Sequence, residues 1–259
     1  MSFLYTRSLR KEFGGVIAVS DVDFEIQKNS ITGLIGPNGA GKTTLFNTIT
    51  GLDSPTEGSV IFDGKDITYL PAYKVTRLGI SRTFQNIRLF REMTAFENIM
   101  IGRHFKGSHP HFTKNSFINA FLGLVYLKRE EKDIFDNSFK WLEFFGLENY
   151  HSELAKSLPY GKQKELEIAR ALATEPELLF LDEPAAGMNF SETEDLMKLI
   201  QKIRGLGITV ALIEHDMKLV MNICDRITVL NYGRKIAEGT PKEIQNDSQV
   251  IEAYLGKNE

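Results

Sequence analysis

Apolar and polar positions alternate in two ways along the chain. Towards both ends, short apolar runs are separated by turn residues. Phe3–Tyr5, Val16–Val19, Val22–Ile26 and Ile31–Ile35 read as strands, with turns at Asp21 and Lys28-Asn29. Val60–Phe62 followed by Asp63-Gly64 adds a strand and turn, and Ile80–Phe84 is a strand ending at Gln85. Glu177–Leu181, Ile208–Ile213 and Ile227–Leu230 are runs of the kind a parallel sheet buries on both faces. Tyr232-Gly233 then turns into Lys235–Ala237, a hairpin. Elsewhere the period is helical. Leu45, Phe46, Ile49 and Leu52 share one face, with Gly51 placed to end the helix. Residues 72–79 are helix-like, and Ser191–Glu194 predicts a capping box that opens a helix ending near Gly205.

Between about 92 and 158 the character changes. Helix formers and large aromatics dominate and no good strand follows Ile101, so this stretch reads as a helical insertion. Outside it, strands alternating with helices imply an α/β chain with a mostly parallel, doubly wound core. The predicted layout is a single domain. A β subdomain and core take about 1–90 and 176–240, a helical subdomain 91–175, and a C-terminal helix 241–259.

Composition narrows the function. The chain has 259 residues, 42% hydrophobic and 25% charged, with a net charge of −3, so no basic excess argues for nucleic acid. The lone Cys224 rules out an internal disulfide and fits a reducing compartment. The opening MSFLYTRSLRKEF has no apolar segment of signal-peptide length, and the longest apolar stretch, Phe117–Leu127, is too short to span a bilayer.

The strongest chemical signal is Gly36-Pro-Asn38-Gly39-Ala40-Gly41-Lys42-Thr43-Thr44, which fits the phosphate-loop pattern G-x-x-x-x-G-K-[ST]. By chance the bare pattern arises in roughly one chain of this size in a hundred. Here a strand precedes it and a helix follows. Backbone N–H groups, the positive end of the helix dipole and Lys42 together form an anion site, with Thr43 placed to ligate Mg²⁺.

A phosphate loop alone does not separate a kinase, a GTPase and a transport ATPase. The run LLFLDEP delivers Asp182 and Glu183 at the C-terminal end of a buried strand, where α/β sheets put ligands. Asp182 is expected to hold Mg²⁺, and Glu183, one residue on, to face an attacking water. Gln85 and His215 also follow strands, so both are expected near the same phosphate.

The order GPNGAGKTT, Gln85, LPYGKQKELEIARAL, LLFLDEP and His215 resembles the ATP-binding subunits of ABC transporters, a P-loop NTPase family, over essentially the whole chain. The resemblance implies an N-terminal antiparallel β subdomain and an inserted α-helical subdomain around the core. It implies ATP as ligand, Mg²⁺ held by Thr43, Gln85 and Asp182, a water polarised by Glu183, and His215 sensing the terminal phosphate. Phe13 stands where the family places an aromatic against adenine. The stretches SRTFQNIRLFREMTAFENI, LDEPAAGMN, IEHDMKLVM and EAYLG are similar to the larger-insertion ATPase subunit of branched-chain amino acid importers. That implies a peripheral protein on the cytoplasmic side of the membrane. Its partners are a second ATPase subunit, identical or different, two integral membrane permease subunits and, indirectly, a solute-binding protein.

One segment departs from the family pattern. Where the general signature is Leu-Ser-Gly-Gly-Gln, this chain has Leu158-Pro159-Tyr160-Gly161-Lys162. The serine hydroxyl that would meet a partner's γ-phosphate is absent, so binding in trans is expected to survive with fewer contacts. Lys162 is expected to add positive charge near that phosphate. Asn189, where many relatives have Asp, is expected to weaken signalling between sites.

Other features read blandly. His104, His109 and His111 share a polar loop without cysteine and fit a solvated loop better than a zinc site. Lys128–Asp133 reads as a solvated helix face, and the apolar excess in Phe90–Leu127 as a groove for a membrane subunit's helix. Two other readings remain: a soluble non-transport ABC ATPase, and a non-hydrolysing regulator. Many proteins of the first kind carry two ATPase halves or a long coiled-coil insert, which this sequence does not show, and the second is opposed by Glu183 and His215.

Overall fold

The structure, a computed structural model, describes residues 2–104 and 132–255. They divide into two units, Met1–Gln85 with Glu177–Glu259, and Asn86–Pro176. In chain order the elements are β1 (Ser2–Phe13), β2 (Val16–Val22), β3 (Glu25–Gln27), β4 (Ile31–Ile35), α1 (Lys42–Ile49), β5 (Glu57–Phe62), β6 (Lys65–Asp66), α2 (Ala72–Arg77) and β7 (Ile80–Arg82). Next come α3 (Ala95–His104), α4 over 132–144 and α5 (Tyr160–Leu172). The chain closes with β8 (Leu178–Asp182), α6 (Phe190–Gly205), β9 (Thr209–Ile213), α7 (Met217–Ile223), β10 (Arg226–Asn231), β11 (Arg234–Gly239), α8 (Pro241–Gln245) and α9 (Ser248–Leu255).

The first unit holds two sheets. One is antiparallel, ordered β2-β1-β5-β6 with β3 also paired to β1. The other is ordered β11-β10-β4-β9-β8-β7, parallel throughout except for β11. Strands β4, β8 and β9 are buried at every position, which explains their unbroken apolar runs. Leu45, Phe46 and Ile49 of α1 join one buried cluster with residues of both sheets, including Leu4, Leu34 and Phe180. Phe46 packs edge-on against Phe180, with ring centroids 4.7 Å apart. Truncating Phe46 to alanine would cost about 3–5 kcal/mol.

The second unit is helical in its described part. α3 opens on a capping box in which Thr94 and Glu97 bond reciprocally. Ile99, Leu142, Leu147, Leu166 and Leu172 are fully buried. Arg103 bridges Asp133 and Glu175, so Asp133, read as solvated, has a partner.

Some sequence expectations fail for identifiable reasons. β1 runs to Phe13, well past Tyr5, because pairing with β2 and β5 holds its polar half. Val22–Ile26 is not one strand: Val22 ends β2 and β3 starts at Glu25. Leu52 lies beyond α1 and is exposed. The capping box of α6 is Asn189 with Glu192, two residues before the expected Ser191–Glu194 pair. The C-terminal stretch is two helices, because the Asp247 carboxylate accepts from the amides of Gln249 and Val250 and restarts the chain as α9.

Candidate functional site

The phosphate loop is fixed from below by β4, which pairs in parallel with β10 and β9. Two glycines are obligatory. Gly36 has φ +148°, and a Cβ there would stand 2.1 Å from the Leu230 carbonyl oxygen. Gly41, the N-cap of α1, has φ +97°, and a Cβ there would stand 2.3 Å from the Ala18 oxygen. No side chain caps α1 and no acidic residue sits in its first turn, so its amides face outward with the dipole behind them. Lys42 is buried, and its Nζ donates to the carbonyls of Gly36 at 2.8 Å and Pro37 at 2.9 Å. Burial pushes its pKa down, and the charges of Glu183 and Asp182 oppose that. Asn38, Gly39 and Thr43 are exposed, Thr44 is half-buried and Ala40 is buried.

The carboxylates come from the same sheet edge. Asp182 ends β8, level with Ile213 of β9. Its Oδ2 accepts from Arg82 Nη2 at 2.6 Å, and its buried Oδ1 has no hydrogen-bond partner. Glu183 follows with φ +47°, a conformation costly for a residue with a side chain, and its amide donates to Ile213 O. The Glu183 carboxylate is held on both oxygens. Oε1 lies 2.9 Å from His215 Nε2, and Oε2 accepts from Gln85 Nε2 at 2.8 Å. The structure therefore gathers Lys42, Gln85, Asp182, Glu183 and His215 at one edge.

Two residues escaped the sequence reading. Glu214 is buried and accepts the amides of Ala185, His215 and Asp216, at 2.7, 3.0 and 3.4 Å. It thus ties the segment after Glu183 to the one bearing His215. Burial pushes its pKa up, against the pull of those amides. An acidic residue closing the apolar run before His215 was the available signal. Arg82, which pairs with Asp182, had none beyond its position three residues before Gln85.

Phe13 is exposed at the end of β1, with Lys11 Nζ 4.5 Å from its ring centroid. It pairs with Val16 on the hairpin whose Ala18 crowds Gly41. A cleft of about 670 Å³ borders Pro37–Ala40, Tyr232 and Gln249, but neither Lys42 nor Glu183 lines it.

The segment Leu158–Lys162 belongs to the other unit. Leu158 is buried, Pro159 is the N-cap of α5, Tyr160 is exposed and Gly161 is half-buried. Lys162, expected to add positive charge near a partner's phosphate, pairs with Glu165 at 2.7 Å. Asn189 caps α6 through its side chain, a role in which Asn and Asp are equivalent. Phe90 is exposed, with the Arg170 guanidinium 5.6 Å from its ring. Most of the expected groove, the side chains of His104, His109 and His111, and residues 128–131 lie outside the described residues. Cys224 is buried and its thiol pKa is pushed up by burial, which makes it inert.

Comparison with known proteins shows the family of the chain. The ABC transporter family profile matches residues 19–186, and that of the branched-chain amino acid ATP-binding cassette transporter matches 234–259. The chain is 45% identical to the high-affinity branched-chain amino acid transport ATP-binding protein BraF of Pseudomonas aeruginosa over 98% of both chains. It is 44% identical to LivG of Escherichia coli, of the same description and coverage. It is also 34% identical to the lipopolysaccharide export system ATP-binding protein LptB of Haemophilus influenzae, over 99% of this chain and 98% of that one. Among solved structures, a nucleotide-free cassette from an ABC transporter matches with TM-score 0.84 and 35% identity, covering 99% of this chain and 100% of that one. A dimeric cassette in a post-hydrolysis state, bound to ADP and phosphate, matches with TM-score 0.75 and 26% identity, over 92% and 98%.

Proposed function

Because this chain belongs to the ABC transporter ATPases, a family that hydrolyses ATP to drive transport, we propose that it powers an importer of branched-chain amino acids. One observation carries the catalytic reading: Glu183 is fixed on both oxygens by His215 and Gln85 beside the phosphate loop. A carboxylate held in this way is oriented before substrate arrives, as a base acting on water must be. Lys42 exchanges its two loop carbonyls for phosphate oxygens when ATP binds. His215 reports the terminal phosphate to Glu183, and Phe13 stacks on adenine.

The donor set fits Mg²⁺. Asp182 Oδ1 is a buried oxygen without a partner, and Thr43 and Gln85 add oxygen donors of the hard type that Mg²⁺ takes. Among the described residues no group of three His, Cys, Asp or Glu side chains forms a cage, which suits an ion shared with phosphates. Bound there, Mg²⁺ would draw charge from the phosphate oxygens.

The segment Leu158–Lys162 serves the nucleotide of a second ATPase subunit, the same chain or another. The pair docks on two integral membrane subunits from the cytoplasmic side, fed by a solute-binding protein. No helix among the described residues is long and apolar enough to cross a membrane. Affinity purification from its own membranes is expected to bring down two membrane subunits and a second ATPase. In vesicles, that complex is expected to accumulate leucine, isoleucine or valine at the expense of ATP. ATP turnover without uptake of any of them would remove the substrate assignment. A different cargo is the second reading, favoured by the full-length similarity to a lipopolysaccharide export protein.

A further inference from the structure

We propose that Arg82 is the resident counterion of Asp182 and sets how tightly the phosphate site takes a divalent cation. The inference rests on the reading of Asp182 as the metal-side carboxylate. The Arg82 and Asp182 side chains are 5% and 2% exposed, and meet at 2.6 Å. The other arm of the guanidinium is anchored in the last turn of α1. Nη1 donates to Asn47 Oδ1 at 2.8 Å and Thr50 Oγ1 at 3.2 Å. Asn47 is held in turn by donating to Asp53 Oδ2, and Thr50 by donating to Phe46 O. The rings of Phe46 and Phe84 lie 5.9 and 5.4 Å from the guanidinium carbon.

Asp182 thus has one oxygen committed to a fixed cation and one buried oxygen with no hydrogen bond. A buried carboxylate is stabilised by a counter-charge, and Arg82 supplies one from 2.6 Å. The same pairing means that an arriving metal meets a carboxylate already partly neutralised. Arg82 therefore holds the metal affinity down, which favours release of the ion with the product. It also orients Asp182, because the planar fork grips α1 and β8 at once, a geometry lysine cannot reproduce.

The test is Mn²⁺ binding, followed by electron paramagnetic resonance with saturating ADP, and by the rise in melting temperature on adding Mn²⁺. In Arg82→Met the affinity is expected to rise at least tenfold. The Mn²⁺-induced rise in melting temperature is expected to exceed that of the wild type. Arg82→Lys keeps the charge without the fork and is expected to fall between the two. Should Arg82→Met not fold, Asn47→Ala, which loosens the anchor, is expected to shift the affinity at least twofold in the same direction. Affinity unchanged or weaker in the folded variants overturns the inference. Asp182→Asn separates the two readings. Loss of Mn²⁺ binding in Asp182→Asn with none of these shifts defeats the Arg82 inference alone. Wild-type binding in Asp182→Asn defeats the assignment of Asp182 to the metal.

Discussion

The helices α1 and α5 both begin at a cap that offers no side-chain hydrogen bond, and they begin very differently. α1 follows a glycine in the left-handed region, and its first residue, Lys42, folds back to satisfy two loop carbonyls. Its surroundings hold Glu183, bonded to the His215 imidazole and the Gln85 amide, and Asp182, paired with Arg82. α5 follows a proline, which spares the chain an amide there. Tyr160 stands exposed and Lys162 is spent on Glu165. One terminus carries its own chemistry and the other carries only N–H groups and a dipole. On the proposed reading, the first terminus does the chemistry and the second serves a ligand held by another subunit.

The contrast can be broken most strongly at Glu183. Glu183→Gln is expected to lower phosphate release by about 10²–10⁴-fold, the usual contribution of a positioned base, while ATP still binds. Lys42→Ala is expected next. Losing a charge-assisted bond of about 1.5–3 kcal/mol weakens MgATP binding about 12- to 160-fold by calorimetry. The pH dependence follows in sign. The Lys42 pKa lies below its usual 10.5, so on raising the pH nucleotide affinity starts to fall earlier than for an ordinary lysine. The alkaline fall disappears in the alanine variant.

The other terminus is expected to respond more weakly. Pro159→Ser restores a hydroxyl to the start of α5, and one hydrogen bond of about 0.5–1.5 kcal/mol should tighten ATP-dependent pairing about 2- to 12-fold. The smallest effect is expected at Asn189. Asn189→Ala removes the α6 cap, costing about 1 kcal/mol, and lowers the melting temperature by about 2–4 °C. Asn189→Asp is expected to leave it unchanged, which would show that the departure from relatives is neutral for folding.

The sequence made the catalytic edge legible because its parts are local. A phosphate loop is contiguous, and the strand before Asp182 announces its own burial. Gln85 and His215 could be placed because each closely follows a strand, although β7 ends at Arg82 and not at Phe84 as expected. Arg82 and Glu214 were hidden because their roles exist only across strands. Arg82 meets Asp182 one hundred positions away, and Glu214 meets the Ala185 amide twenty-nine positions away. The polar half of β1 was hidden for a related reason. Its stability comes from pairing with β2 and β5, and its own composition looks like a loop. The α6 cap was misplaced by two residues because Ser191 and Asn189 both suit an N-cap, and only backbone geometry decides between them.

The central claim is that the loop at Gly36–Thr44 is one half of a site completed by another ATPase subunit. Light scattering on Glu183→Gln, alone and with any ATPase subunit that co-purifies with it, tests this directly. With MgATP the mass is expected to double, and it should stay at one chain when Lys42→Ala is added. Full ATP occupancy with the mass of a single chain, under both conditions, would contradict the account.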